Sequence, residues 1–199
     1  MANSSSKKIQ SYRKEFQKHD GGIKSLQWAS YKSAANRFQQ LVSEFELAGK
    51  DVLDVGCGFG DLIPFLSYKT SNFNYTGIDL LSEFTTEAQK RYPEHRFQTL
   101  DYFANSPKEK YDVVFCCGAL NGQGENPLKE RKRKILILFN QAKEVLVFNM
   151  AGGTGIFNDS KRIYYADSRK ILDYCLTLTP KVILKQHYHS KDFTIFMFK

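Results

Sequence analysis

The chain has 199 residues, 42% hydrophobic and 25% charged, a balance that suits one domain with a full core and excludes a disordered chain. No apolar run approaches the roughly 20 residues needed to span a bilayer, and Met1 to Lys8 lacks the apolar stretch of a secretory signal. The formal charge of +8 raises the question of a nucleic-acid partner without answering it. Runs such as Lys129-Glu130-Arg131-Lys132-Arg133-Lys134 are usually the solvated face of a helix.

Residues 1–20 read as a mobile basic segment and 21–199 as a single domain. Leu26, Ala29, Ala34, Phe38, Leu41, Val42 and Phe45 recur at spacings of three and four, which predicts a helical cap within 21–48 that ends at Gly49. A strand follows at Asp51 to Val55, then a helix from Asp61 with Pro64 in its first turn. Tyr75 to Leu80 is a second strand. Ser82 to Lys90 is a helix capped by Ser82, and His95 to Leu100 is a third strand. Tyr111 to Cys117 is nearly continuous in apolar residues, as a strand covered on both faces should be. Pro127 opens a helix to Lys143, and Glu144 to Met150 is the fifth strand.

Residues 151–165, with Gly152, Gly153 and Gly155, form a flexible connection on the substrate side. A helix from Asp167 to Leu178 resumes the alternation. Val182 to His187 and Phe193 to Phe198 are separated by so few residues that they must be antiparallel. The expectation is an α/β, Rossmann-like mixed sheet of seven strands, six parallel and one antiparallel, with helices on both faces. Cys57, Cys116, Cys117 and Cys175 lie on or beside core elements without metal-ligand spacing, which points to a reduced, cytoplasmic protein with no metal.

Residues 53–61, Leu-Asp-Val-Gly-Cys-Gly-Phe-Gly-Asp, carry the chemistry. A buried strand ending in an acid and a turn with few side chains lets a bulky ligand lie against the backbone. Asp54, Asp79 and Asp101 stand at or near successive strand ends, so a parallel sheet brings them to one rim. A carboxylate beyond the second strand accepts both hydrogens of a ribose diol, and one beyond the third can accept from a purine amine. Leu80 and Tyr102 offer faces beside a base, and carbonyls near Cys117 and Gly118 could receive an ammonium group. A pyrophosphate fingerprint wants glycine where this chain has Asp61, so an acidic rim argues against a dinucleotide and for a cationic, phosphate-free nucleoside.

These motifs resemble those of the class I S-adenosylmethionine-dependent methyltransferases: residues 53–60, Thr76-Gly77-Ile78-Asp79, Asp101-Tyr102 and Tyr111-Asp112-Val113-Val114. Ser25-Leu26-Gln27-Trp28, Asn36-Arg37-Phe38, Thr179-Pro180-Lys181-Val182 and Asp192-Phe193-Thr194-Ile195 resemble a group of small bacterial methyltransferase-like proteins. The resemblance implies S-adenosylmethionine as cofactor and S-adenosylhomocysteine as product. It places Asp54, Gly56, Cys57, Gly58 and Gly60 around the methionine end, Asp79 on ribose and Asp101 on adenine.

Methyl transfer from a sulfonium needs chiefly a nucleophile held in line, and no residue declares itself a general base. His187 and His189 read as surface histidines near a turn, and Cys117 as a buried structural thiol. Acceptor selection falls to Trp28, Tyr31, Arg37, Tyr164 and Tyr165. The resemblance favours Trp28 as a lid and Arg37 as a carboxylate partner, against a core Trp and a surface Arg. They share a face only if the helix breaks near Trp28. A compact pocket between Trp28 and Tyr164 favours a small-molecule acceptor in a monomer or weak homodimer. The alternatives are an RNA methyltransferase using the basic surface, or a cofactor-binding protein without catalysis.

Overall fold

A computed structural model of the chain describes residues 2–19, 22–28, 30–155 and 163–199. Residues 156–162 of the predicted connection, and Ala29 of the predicted cap, lie outside the described residues. The strands are β1 (Lys50–Val55), β2 (Phe73–Asp79), β3 (Arg96–Thr99), β4 (Tyr111–Cys117), β5 (Ala142–Gly153), β6 (Ala166–Asp167), β7 (Val182–Lys185) and β8 (Asp192–Phe198). Seven of them form one sheet in the order β3-β2-β1-β4-β5-β8-β7. The two-residue β6, which the sequence reading did not include, pairs with the end of β5. Only β8 runs against the rest, bonded antiparallel to β5 and β7. The mixed α/β sheet is therefore the expected one with a short addition.

The helices are α1 (Ala2–His19), α2 (Tyr31–Leu41), α3 (Ile63–Lys69), α4 (Ser82–Arg91), α5 (Pro127–Gln141) and α6 (Ser168–Leu176). Side chains alternate across the sheet, and each face has its own core. Cys116, Leu146, Phe148, Met150, Phe193 and Ile195 pack with Ile135 and Leu138 of α5 and Ile171 of α6. Val113, Phe115, Cys117, Val147 and Phe196 pack with Ala34, Phe38 and Leu41 of α2 and Leu66 of α3. Phe115 and Phe148 are fully buried on opposite faces, and truncating either to Ala costs about 3–5 kcal/mol in such a setting.

Three local readings change. Ala2–His19 is helical, a structure that the sequence reading did not assign to it. The continuous apolar period over 22–47 hides a break: a single 3₁₀ turn at Ile23–Leu26 ends at Gln27, whose φ is +60°. The chain then restarts as α2, where the Ser30 hydroxyl accepts the Ser33 N–H at 3.1 Å. Finally, Ser82 is not the cap of α4. Leu81 holds that position, and its N–H donates to Asp79 Oδ1 at 3.1 Å.

Candidate functional site

The glycine-rich segment leaves β1 and doubles back at the rim. Gly56 and Cys57 both donate N–H to the carbonyl of Ile78, at 2.8 and 3.2 Å, so the turn is sewn to β2. Gly56 and Gly58 have φ of +82° and +55°, the left-handed region that L side chains rarely enter. A β-carbon on Gly56 would also lie 2.8 Å from Ala119 Cβ, across from the loop that follows β4. The predicted helix begins two residues later than its sequence signal, at Ile63. Asp61 therefore stays in the loop, 3.7 Å from Arg91.

The three strand-end acids have different surroundings. Asp54 is 3% exposed; its Oδ2 accepts the Tyr75 hydroxyl at 2.8 Å and its Oδ1 has no partner. Burial pushes its carboxyl up to about 7. Asp79 organises the loop, accepting the Gly58 N–H at 3.0 Å through Oδ2 and the Leu81 N–H through Oδ1. Asp101 is half-buried and accepts the Ala104 N–H at 3.3 Å. Tyr102 is buried beside it in the core, with its hydroxyl unpaired. Leu80 packs beside Phe59, Leu81 and Phe84.

The N-terminal segment closes over this rim. Tyr12 and Phe16 of α1 lie 5.8 and 5.9 Å from the Phe84 ring, and Phe16 lies 6.0 Å from Phe59. Arg13 donates to Glu83 at 2.6 Å. A β-carbon on Gly58 would meet Leu26 Cδ2 at 2.9 Å, and one on Gly118 would lie 3.5 Å from Trp28 Cη2. One short segment thus covers both the loop after β1 and the loop after β4.

The break before α2 settles how Trp28 and Arg37 relate. The Arg37 guanidinium lies 5.0 Å from the Trp28 ring centre, a cation–π contact that a continuous helix would not allow. Arg37 is also an ion-pair partner of Asp192, which is 2% exposed. It is therefore neither a surface arginine nor free to take a substrate carboxylate as it stands. Tyr31 is 63% exposed. Tyr164 donates its N–H to the Asn121 carbonyl at 2.9 Å and lies under Arg131. Tyr165 is half-buried. Trp28 and Tyr164 pack against cores on opposite faces of the sheet.

The sequence reading named Cys117 and Arg37 but not Asn149 or Tyr188, which join them in a polar cluster at the same rim. Cys117, Asn149 and Thr194 stand side by side in register across β4, β5 and β8. Asn149 donates to the Tyr188 hydroxyl at 2.8 Å and to the Phe193 carbonyl at 3.1 Å, leaving its buried Oδ1 unpaired. The Tyr188 and Thr194 hydroxyls are 2.8 Å apart. His189 Nδ1 lies 2.8 Å from Asp192, so this histidine, 38% exposed in its side chain, belongs to the rim rather than to open surface. Burial raises the Asp192 carboxyl despite the opposing pull of Arg37. The available signal was Asp192-Phe193-Thr194-Ile195 itself, whose acid opens the reversed strand and so returns to the rim.

Cys117 is buried and its thiol is pushed up by burial, as a structural cysteine should be. The basic run on α5 is less free than its sequence implied. Arg131 is 2% exposed and donates to the Leu120 carbonyl at 2.6 Å. Lys134 pairs with Glu130 at 3.2 Å, and Lys132 lies over Tyr174 at 5.2 Å. Among the described residues no cluster of His, Cys, Asp or Glu is arranged to hold a metal ion. Nor is any helix among them long and apolar enough to cross a membrane.

Residues 52–135 match the family described as a methyltransferase domain. A candidate methyltransferase of Invertebrate iridescent virus 6, 235L, is 32% identical over 89 residues, 43% of this chain and 32% of that protein. The chain thus spans about a third of the length of that curated relative. Among solved structures, magnesium protoporphyrin IX methyltransferase of Synechocystis PCC 6803, with bound S-adenosylmethionine, has a TM-score of 0.63 at 21% identity, covering 84% of this chain and 78% of that one. The complex of DhpI with S-adenosylhomocysteine gives 0.69 at 16% identity, over 98% and 97%. Phosphoethanolamine N-methyltransferase 1 of Haemonchus contortus gives 0.71 at 15% identity, over 100% of this chain and 50% of that one. Local sequence match and fold agree: the chain has the fold of the class I S-adenosylmethionine-dependent methyltransferases, and residues 52–135 match the methyltransferase-domain family.

Proposed function

We propose that the protein moves a methyl group from S-adenosylmethionine to a small-molecule acceptor, leaving S-adenosylhomocysteine. The observation that carries the reading is the rim itself. An orphaned acid, a backbone-sewn glycine turn and a second acid on the neighbouring strand converge under an apolar lid. The residues fit the cofactor. The unpaired Oδ1 of Asp54 suits an ammonium group, and the left-handed turn at Gly56 and Gly58, which carry no side chains of their own, suits a ligand lying near the backbone. Asp79 is the candidate for the ribose hydroxyls, Asp101 for the adenine amine, Leu80 and Tyr102 for the faces of the base. Cys57, Gly60, Cys117 and Gly118 complete the lining.

When bound, the cofactor supplies an already activated methyl carbon, so the chain has mainly to position and to exclude water. Leu26 and Trp28 do the excluding, because they sit over Gly58 and Gly118. The acceptor side is assigned to the cluster of Asn149, Tyr188, Thr194, Arg37 and Asp192. Asn149, Thr194 and Asp192 are buried, Tyr188 and Arg37 are half-buried, and Asn36 of α2 donates to the Tyr188 carbonyl, which favours a compact acceptor over a polymer. Asp192 is the titratable acid among them, and an acceptor with a tightly held proton would draw on it.

Similar solved structures include methyltransferases of small molecules, which supports the same reading. The test uses methyl-labelled S-adenosylmethionine with a small-metabolite extract and, separately, with total RNA. Label is expected in the small-molecule fraction. Label in RNA would support the basic-surface alternative, and cofactor binding without transfer to either would support a non-catalytic protein.

A further inference from the structure

Asp54 is an acid that lacks half of its partners. It sits 3% exposed with one oxygen on the Tyr75 hydroxyl and the other on nothing. The titratable groups that face it are Tyr75 and Asp79 from β2, Cys57 and Asp61 from the glycine-rich segment, and Cys117 from β4. All of these are neutral or negative. Of the cations nearby, Arg37 is paired with Asp192, and Arg91 lies 3.7 Å from Asp61 and 4.7 Å from the Phe59 ring centre.

A buried carboxylate with one hydrogen bond and acidic neighbours is unfavourable as an ion. Two things relieve it. A proton on the carboxyl removes the charge, and a ligand cation against the orphaned oxygen balances it. The two occupy the same position and exclude one another.

We propose that Asp54 exchanges its proton for the ammonium group of the cofactor, so that binding converts the carboxylic acid to a carboxylate and expels one proton to solvent. The O–H bond of Asp54 breaks, its electron pair stays on the oxygen, and the ammonium enters with all of its hydrogens. The inference rests on the reading of this crevice as the cofactor site and adds that occupancy is coupled to pH. Because the proton is a product of binding, affinity rises with pH up to the point where the free protein has already lost it.

The test is calorimetric titration of the full chain with S-adenosylhomocysteine, which carries the ammonium but not the sulfonium. Phosphate, imidazole and Tris differ in ionisation enthalpy, so the dependence of heat on buffer counts protons. With Asp54 titrating at about 7 in the free protein, release should be roughly three quarters of a proton at pH 6.5 and about a tenth at pH 8. Below pH 7 the dissociation constant should weaken roughly tenfold per unit. Asp54→Asn should bind with buffer-independent heat, while Asp61→Asn should keep the release. Binding without release at pH 6.5, or release that survives in Asp54→Asn, would overturn the exchange and leave the cofactor site standing. Should Asp54→Asn not fold, loss of the release in Asp61→Asn would overturn the assignment instead. No heat at millimolar ligand would overturn the cofactor reading and the exchange together.

Discussion

Asp54, Asp79 and Asp101 were all legible in the sequence as acids at strand ends, but not what each would meet. That depends on register. Val52 lies opposite Tyr75, which brings the phenol to Asp54 from a strand some twenty residues away. No local pattern announces such a partner. The consequence for stability follows from its sign. An acid whose folded-state value is raised from 3.8 to about 7 binds its proton more tightly when folded. The stability this contributes is full below about pH 4 and is lost as pH climbs to about 7. Asp54→Asn should therefore stabilise the ligand-free protein at pH 8, by roughly 4 kcal/mol at most, and have little effect at pH 4. Thermal unfolding at both pH values checks this; equal effects at both would show that burial of the charge is not the cause.

At the scale of elements, the N-terminal cap is where sequence pattern and chain path part. Apolar spacing runs unbroken from Leu26 to Phe45, yet the backbone turns at Gln27 and restarts at Ser30. Periodicity reports which residues are buried and is silent about a left-handed residue that reverses the chain. That reversal makes Trp28 a neighbour of Arg37 and sets both at the rim. Trp28 is the one tryptophan in the chain, so its fluorescence reports on the cap directly. Saturation with S-adenosylhomocysteine should shift its emission, and Phe16→Ala, which removes an aromatic contact of α1, should make the shift larger. An unchanged spectrum on binding would mean that the segment is not a lid. The pair of Arg37 and Asp192 ties α2 to the start of β8. Breaking such a buried pair from one side costs about 3–5 kcal/mol, so Arg37→Leu should lower the denaturant midpoint well beyond a surface substitution. A change under about 0.5 kcal/mol would place the pair among surface salt bridges.

At the scale of the whole molecule, alternation of strands and helices was enough to give the sheet, because parallel strands covered on both faces need both a continuous apolar run and a crossover. Tyr111 to Cys117 shows this directly: the predicted and observed strands coincide. The cluster proposed for the acceptor was less legible. Its residues come from α2, β5 and the hairpin of β7 and β8, and only the topology brings them together. Net charge was the least informative property, since Arg131, Lys132 and Lys134 face partners within the fold.

The central claim is that the rim at β1 and β2 is an S-adenosylmethionine site with Asp79 on the ribose. Titration of the wild-type chain and of Asp79→Ala with S-adenosylhomocysteine, at pH 8 where Asp54 is ionised, tests it most directly. The account predicts saturable one-to-one binding to the wild type and at least a tenfold weaker affinity in a variant that still unfolds cooperatively. Absence of binding at millimolar ligand, or equal affinity in the two proteins, would contradict it.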